Sequence, residues 1–301
     1  MLKTAPDLPK QHSQASLAPE PQLRYDTIFS SDVVAVICVC CRPNERGCGA
    51  PEAAVGHHVV IPHHGVFVKH IGRTQVVANP ATVVFFTEGR EYTVSHPVGD
   101  GDDCTSLRFA PTVLQEALAG FRRTSKVRDD APFDSLGPAV APAPRDLLAA
   151  RKLRRLLSSY ASALGVEETA LGLLQTLTGT APLRRLDNDP RARRWAVDVE
   201  VMLASRPGHR WTLAQVGREV GASPYHLARR FRAVTGSSIH RRLVAIRLAV
   251  AAERILDGEN DLSMLALDLG FASHAHLTTA FRAAHGLPPS ALRGDAMRVS
   301  A

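Results

Sequence analysis

The chain has 301 residues, of which 45% are apolar and 22% are charged, a composition typical of globular proteins rather than of disordered chains. No apolar run approaches the roughly 20 residues that a membrane-spanning helix needs, so no membrane association is predicted. The formal net charge of +7 belongs to the last third of the chain, because residues 1–190 hold 20 basic and 20 acidic side chains, whereas residues 191–301 hold 16 arginines, no lysine and nine acidic side chains.

The first part of the chain predicts a tail followed by a β domain. Residues 1–23 are polar and rich in Pro, Gln and Ser, which favours a mobile tail, and they lack the apolar core of a secretory signal. A cytoplasmic location with reduced cysteines is therefore expected. Residues 24–124 hold short Val-, Phe- and Thr-rich runs broken by Gly, Pro and Asn, which favour a β-sandwich or barrel followed by a helix over Thr112–Arg122. The predicted strands are Val33–Cys41, His58–Ile61, Val66–Ile71, Thr74–Ala78, Thr82–Thr87, Tyr92–His96 and Thr105–Phe109, with a hairpin turn at Gly72 and Arg73.

Residues 125–180 predict a Pro/Ala-rich connection that leads into two amphipathic helices, Asp146–Leu164 and Val166–Leu177. These helices either cap the β domain or form a dimerisation surface, and the sequence leaves both alternatives open. Residues 181–190 form a second Pro-marked break and are predicted to be a linker.

The basic unit, residues 191–295, predicts an all-helical domain with an internal repeat. Two segments align at an offset of 50 residues, which indicates a duplicated supersecondary unit. The aligned pairs are Ser223 and Ser273, Leu227 and Leu277, Phe231 and Phe281, Arg232 and Arg282, and Gly236 and Gly286. The predicted helices are Arg191–Ser205, Leu213–Val220, Pro224–Val234, Ile239–Leu256, Leu262–Leu269 and His274–His285.

Each copy contains the parts of a helix-turn-helix motif. A short apolar helix ends at a glycine (Gly221 or Gly270), and a serine then stands where it can cap the next helix. Two such copies in a domain with an arginine surplus favour nucleic-acid binding, because guanidinium groups bind phosphates and base edges bidentately. A solvated basic face is the alternative explanation of the charge.

Residues 195–293 resemble the tandem DNA-binding domain of the AraC/XylS family of bacterial transcription regulators. The resemblance is carried by Leu213, Ala214, Gly221, Ser223, Pro224, Leu227, Phe231 and Gly236, by Arg247, Ala251, Ile255 and Leu256 of the joining helix, and by Gly270, Phe271, Ser273, Leu277, Phe281, Arg282, Gly286 and Pro289. It implies that one subunit places two recognition helices in successive major-groove faces, about 34 Å apart.

The same resemblance implies the DNA-contacting residues. Tyr225, Ala228 and Arg229 are expected to face bases in the first half-site, and Arg232 and Arg282 to touch phosphate. Thr279 departs from the family pattern, in which arginine is frequent, so the first copy is expected to dominate base reading. The full predicted set is Ser223, Tyr225, His226, Ala228, Arg229 and Arg232 in the first copy, and Ser273, His274, Ala275, Thr278, Thr279 and Arg282 in the second.

The β domain resembles, more loosely, the cupin-like sensor and dimerisation domain of the same family. The paired histidines His57–His58 and His63–His64 do not match the enzymatic cupin signature, so no catalytic activity and no cofactor are predicted. The expected fold is thus an α+β multidomain protein, with an N-terminal cupin-like β-barrel with trailing helices and a C-terminal all-α tandem helix-turn-helix domain.

All five cysteines, Cys38, Cys40, Cys41, Cys48 and Cys104, lie in the β domain. Strand alternation places Cys38 and Cys40 on one face and Cys41 on the other. Burial as small core residues is the favoured interpretation. Redox-reactive thiols or soft metal ligands are the alternatives, and metal binding is left open.

The sequence therefore predicts a sequence-specific DNA-binding transcription regulator that senses an unknown small molecule or a redox or metal signal. Its expected partners are double-stranded promoter DNA, RNA polymerase, a small-molecule effector and a second copy of the chain. The alternative is a DNA-repair methyl acceptor coupled to transcription activation, although the cysteines lack the Cys-x2-Cys-type spacing which that chemistry would use.

Overall fold

The computed structural model describes residues 22–43, 46–122, 133–158, 162–180 and 189–297. Residues 1–21 of the predicted tail, residues 125–132 of the predicted Pro/Ala-rich connection and residues 181–188 of the predicted linker lie outside these ranges. Gln22 and Leu23 were assigned to the tail, but they begin the first strand, because they continue the pairing with the second strand out to Arg42.

Within the described ranges, ten strands form two antiparallel sheets. The larger sheet has the order β1-β2-β9-β4-β7-β10, and the smaller has the order β3-β8-β5-β6. The predicted hairpin at Gly72 and Arg73 is confirmed by the pairing of β5 with β6. The strands are β1 (Gln22–Ser30), β2 (Val34–Arg42), β3 (Glu52–Ala53), β4 (His58–Gly65), β5 (Phe67–Ile71), β6 (Thr74–Ala78), β7 (Val83–Phe86), β8 (Glu91–Ser95), β9 (Asp102–Phe109) and β10 (Ala139–Val140).

Apart from its exposed edge strand β1, the larger sheet is covered on both faces, to which alternate residues of each strand point. One face meets the smaller sheet through a cluster that includes Val84, Cys104, Phe67 and Val76. The other face carries Val36, Val59, Phe85 and Leu107 and packs against three helices. These helices are α1 (Pro111–Arg122), α2 (Pro144–Ser158) and α3 (Ala163–Gly179).

The helices α2 and α3 correct one predicted helix boundary and show where these two helices pack. A single helix over Asp146–Leu164 was predicted, but Ser162 has extended backbone angles and its side chain caps α3, so a new helix begins at Ala163. Leu153 and Leu174 are buried in the cluster beneath the larger sheet. This packing supports the capping role of the two helices.

The described part of the C-terminal domain, residues 189–297, contains seven helices, of which six were predicted. The additional helix, α10 (Pro289–Met297), begins at a proline, a residue well suited to the first turn of a helix. The others are α4 (Pro190–Ser205), α5 (Leu213–Glu219), α6 (Pro224–Thr235), α7 (Ile239–Leu256), α8 (Leu262–Asp268) and α9 (His274–His285). None of the described helices combines the length and the apolar character needed to cross a bilayer.

The repeat appears in the packing as two equivalent cores. Leu227 and Phe231 of α6 are buried with residues of α4, α5 and α7, and Leu277 and Phe281 of α9 occupy the matching core with α7, α8 and α10. The long helix α7 contributes to both cores. The predicted α+β class, with a β domain, trailing helices and a C-terminal tandem helix-turn-helix domain, is confirmed.

Candidate nucleic-acid interface

The first helix-turn-helix unit, α5 and α6, is fixed by side-chain caps at both helix starts. Thr212 and Gln215 form a reciprocal capping box before α5, with N···O distances of 2.9 and 3.2 Å. The Ser223 hydroxyl accepts a hydrogen bond from the backbone N–H of His226 and so caps α6. The prediction that a serine caps the recognition helix is confirmed for this copy.

The second unit, α8 and α9, repeats this construction with a different first cap. The Asp261 carboxylate accepts hydrogen bonds from the backbone N–H groups of Ser263 and Met264 at 3.0 and 2.9 Å. The Ser273 hydroxyl accepts from His276 N–H at 3.1 Å, as Ser223 does in the first copy. Because both serine hydroxyls accept bonds from their own helices, their main role is to start the recognition helices.

The exposed faces of α6 and α9 carry most of the predicted DNA-contacting side chains. Tyr225 is 71% exposed, and Ala228 and Thr278 are half-buried. The Thr278 hydroxyl is also engaged with the His274 ring at 3.4 Å, which leaves Thr279 as the more accessible threonine of α9. The remaining members of the predicted set are all exposed: Ser223, His226, Arg229, Arg232, Ser273, His274, Ala275, Thr279 and Arg282.

Three arginines on these two faces differ from several other arginines of the domain in their ion pairing. Among the described residues, no carboxylate lies within 4.0 Å of the guanidinium groups of Arg229, Arg232 or Arg282. By contrast, Arg242 pairs with Glu200 at 3.3 Å, and Arg254 pairs with two carboxylates. The positive charges of Arg229, Arg232 and Arg282 are therefore not neutralised within the domain and are available to a negatively charged partner.

A buried arginine connects the two units. Arg247 of α7 donates hydrogen bonds to the backbone carbonyls of Pro207, His209 and Gly270, at 2.7, 2.9 and 3.0 Å. Burial lowers the pKa of this guanidinium, which nevertheless remains charged at neutral pH. Gly270 is tightly packed, because a Cβ atom there would lie 2.6 Å from the Arg247 guanidinium. These contacts hold the turn of the second unit against the segment that precedes the first.

The joining helix α7 also carries the main polar contact with the β domain, which the sequence did not reveal. Glu253 of α7 is fully buried and lies 2.5 Å from Arg151 Nε of α2 and 2.7 Å from His63 Nδ1 of β4. The other ring nitrogen of His63 lies 2.7 Å from the Thr105 hydroxyl, and Arg151 also donates to the Pro80 carbonyl. We call Glu253, Arg151 and His63 the interdomain cluster.

The protonation states in the interdomain cluster follow from burial and charge. Burial lowers the pKa of His63, so the ring is neutral near pH 7 and donates from Nδ1 to the carboxylate. Burial alone would raise the pKa of Glu253, but Arg151, His63 and the nearby Arg154 outweigh it and lower the pKa to about 2. The cluster is therefore an ion pair of Glu253 with Arg151, supported by a neutral histidine.

A second contact between the domains lies along α4. Val197 is buried with Val66, Val68 and Val77 of the β domain, and Val98 packs against the same cluster. A groove of about 650 Å³ runs beside this contact and is lined on the two sides by polar groups that include His70, Gln75, Asp198 and Arg206. The DNA-binding domain is thus in contact with the β domain through both α4 and α7.

The predicted sensor cysteines occupy different environments. Cys104 is buried, Cys38, Cys40 and Cys41 are half-buried, and Cys48 is exposed, and all five are free thiols. Burial raises the pKa of the Cys38, Cys40 and Cys104 thiols, and Asp102 adds to the effect at Cys104. This direction is opposite to the activation that a redox-reactive thiol at these three positions would need. Cys41 differs from the others because it lies beside His96 and Asp102.

Comparison with known proteins bears on the C-terminal domain. Residues 216–295 match a family model described as a helix-turn-helix domain. Over 87 residues the chain is 31% identical to an AraC-like transcription regulator of Streptomyces lividans, and over 91 residues it is 30% identical to one of Streptomyces antibioticus. The matched segments cover 29% and 30% of this chain, and they span the same shares, less than a third, of those relatives.

Among solved structures, ToxT of Vibrio cholerae is similar over 87% of this chain and 98% of its own, with 10% identity and a TM-score of 0.35. That degree of likeness is too low to imply a shared fold.

Proposed function

We propose that the protein is a sequence-specific transcription regulator controlled through its β domain, with an AraC-type helix-turn-helix DNA-binding domain at its C-terminal end. The observation that carries the proposal is the pair of equivalent recognition helices, α6 and α9, on which Arg229, Arg232 and Arg282 are exposed and have no carboxylate within 4.0 Å among the described residues. Exposed arginines without internal partners can neutralise the charge of a phosphate-rich ligand.

The two recognition helices contribute unequally to the recognition of base sequence. Arg229 is the residue of α6 best suited to read a base pair, since guanidinium binds guanine bidentately, and the exposed Tyr225 lies one turn before it. Arg232 and Arg282 occupy equivalent positions near the ends of α6 and α9 and neutralise phosphates. On α9 the position equivalent to Arg229 is Thr279, which offers only a hydroxyl and a methyl group, so the first unit supplies most of the base specificity.

The test begins with the full-length protein and a pool of random duplex DNA. Repeated selection is expected to enrich a site that spans two adjacent helical turns. Arg229→Ala is expected to lose about 1–3 kcal/mol of binding free energy at the selected site and much less on random DNA. Failure to enrich any site would refute sequence-specific binding.

Arg232→Ala is the matched control on the same helix. As a phosphate contact it is expected to weaken binding uniformly across sequences and to reduce the salt dependence of affinity by about one counterion. Equal losses for Arg229→Ala on selected and random DNA would contradict the base-reading role of Arg229.

The signal passes between the domains through α4 and α7, which contact the β domain, and through Leu148 of α2, which is buried in the core that holds Leu277 and Phe281 of α9. A small-molecule effector would bind in the groove beside α4, where His70 and Gln75 face Asp198 and Arg206. A thermal-shift screen of small metabolites can compare the wild type with Val201→Trp, which narrows the groove. Compounds that stabilise only the wild type support this site, and compounds that stabilise both variants equally argue against it.

The other partners follow from the same proposal. As a regulator bound at promoters, the protein would act on RNA polymerase, and a second copy of the chain would bind through the exposed leucines of α3, Leu164 and Leu171. We propose no catalytic activity. The DNA-repair alternative gains no support from the comparisons, in which the matched relatives are transcription regulators.

A further inference from the structure

Three side chains of different chemistry converge at one end of the space between the two sheets. They are Cys41 at the end of β2, His96 just after β8 and Asp102 at the start of β9. The cysteine sulfur, an imidazole nitrogen and a carboxylate oxygen all lie within 4.8 Å of one another. Among the described residues, no other trio of Cys, His, Asp or Glu brings its ligand atoms so close.

The fold itself builds this arrangement. Cys41 and Asp102 are direct partners in the pairing of β2 with β9. The chain between His96 and Asp102 doubles back tightly, with a hydrogen bond of 3.0 Å from Gly99 N–H to the His96 carbonyl. Gly101 has a φ of 76°, and a Cβ atom there would lie 2.2 Å from the Cys41 carbonyl oxygen. The backbone at Gly101 therefore lies directly against Cys41, and this close approach brings the loop with His96 to the end of β2 and the start of β9.

Two members of the trio are shielded from water and are hydrogen-bonded to each other. His96 and Asp102 are 7% and 6% exposed, and His96 Nε2 lies 2.7 Å from Asp102 Oδ2. The second carboxylate oxygen accepts a hydrogen bond from the buried Cys104 thiol at 3.1 Å. Cys104 is the second residue after Asp102 on β9, so both side chains point to the same side of the sheet. The carboxylate therefore has both a nitrogen and a sulfur neighbour in a buried setting.

We propose that Cys41, His96 and Asp102 bind one divalent cation of the zinc type. Thiolate, imidazole and carboxylate are the three ligand types that zinc takes in proteins, and a water completes the tetrahedron. Magnesium and calcium are disfavoured, because they select oxygen ligands alone. On binding, the Cys41 thiol and the His96–Asp102 pair release their protons to solvent as the metal–ligand bonds form, and no oxidant or reductant takes part.

The position of this site gives it a route to the DNA-binding domain. The loop that supplies His96 also carries Val98, which packs against the cluster around Val197 of α4. Binding a cation would fix this loop and so strengthen the contact of the β domain with α4. Metal binding itself does not depend on the proposed function, whereas its effect on DNA affinity rests on that proposal.

The test uses the full-length protein, reduced, stripped with a chelator and titrated with Co²⁺ and then Zn²⁺ in the absence of DNA. The wild type is expected to develop a thiolate-to-cobalt charge-transfer band that saturates at one equivalent and disappears when zinc displaces the cobalt. Cys41→Ser is expected to lose the band. His96→Gln is expected to weaken zinc binding by more than the roughly 10–100-fold that loss of an outer-shell partner causes.

Cys40→Ser is the matched control, since Cys40 is the neighbouring residue and points to the opposite face of β2. It is expected to keep the band, and zinc is expected to raise the melting temperature of the wild type and of Cys40→Ser only. Circular dichroism checks that each variant is folded, and His96→Gln decides the matter should Cys41→Ser fail to fold.

Absence of the band in the wild type, or an equal band in Cys41→Ser, would overturn the proposal. Either result would leave the DNA-selection experiment unaffected, so the metal site and the proposed function fail independently.

Discussion

Replacing Glu253 with glutamine tests whether the interdomain cluster holds the two domains together. The amide keeps the shape of the side chain and can still accept a hydrogen bond, but it leaves the Arg151 guanidinium, which is 1% exposed, without a counter-charge. Removing one partner of a buried ion pair costs about 3–5 kcal/mol. The gap between an ordinary glutamate pKa of 4.5 and the folded value of about 2 corresponds independently to about 3 kcal/mol.

The loss is measured by urea unfolding at pH 7, followed by fluorescence and by circular dichroism. Both tryptophans, Trp195 and Trp211, belong to the C-terminal domain, so fluorescence reports that domain while circular dichroism reports the whole chain. If the cluster couples the domains, Glu253→Gln is expected to lower the stability seen by fluorescence and to separate two transitions that coincide in the wild type. A loss below about 1 kcal/mol would refute the assignment of a buried, charged Glu253.

The pH dependence supplies a second check with a definite sign. Because the folded pKa of Glu253 is depressed, its stabilisation is fully present above the unfolded pKa near 4.5 and is lost as pH falls towards about 2. The difference between wild type and Glu253→Gln is therefore expected to shrink across this window. Asp257→Asn is the control, since this carboxylate near the end of α7 pairs with His64 and Arg154 while 41% exposed, and its loss is expected to cost no more than about 1 kcal/mol.

Three further changes test other parts of the molecule. Arg247→Met removes the three carbonyl contacts between the helix-turn-helix units. In a gel-shift assay, the variant is therefore expected to tolerate a half-turn insertion between the half-sites that abolishes binding by the wild type. Equal sensitivity of the two proteins to the insertion would contradict this role of Arg247. Gly270→Ala is expected to destabilise the domain more than Gly221→Ala in thermal melts, since both have positive φ but only Gly270 is closely packed, and equal losses would count against that reasoning. Leu164→Asp combined with Leu171→Asp is expected to convert a dimer into a monomer by light scattering, and an unchanged mass would exclude this face of α3 as the dimer contact.

The parts of the molecule that the sequence predicted are those governed by local spacing. The caps Ser223 and Ser273 and the buried residues at four-residue intervals in α6 and α9 lie within one helical turn of the features that identify them. The strand alternation that separated Cys40 from Cys41 also depends on adjacent residues alone. Local patterns of this kind determine where an element begins and which face it buries.

The interdomain cluster could not be predicted in this way. His63, Arg151 and Glu253 are separated by about a hundred residues at each step, and each looks like an ordinary surface side chain in its own helix or strand. The helix break before Ala163 was missed for a related reason, because the leucine spacing continues across it and only the Ser162 cap marks the boundary. Nothing in the pattern around His96 indicates that it would meet Cys41, since the tight turn at Gly101 brings them together.

Only some of the arginines that make the C-terminal domain basic are free to bind DNA. Part of this positive charge is structural, because Arg242 and Arg254 pair with carboxylates and the Arg247 guanidinium donates hydrogen bonds to backbone carbonyls. Such arginines contribute to the net charge but cannot move to meet a phosphate without breaking the fold. Only the unpaired groups, among them Arg229 and Arg232, can release counterions when DNA binds. The slope of affinity against salt concentration should therefore reflect the number of these arginines and not the net charge of +7.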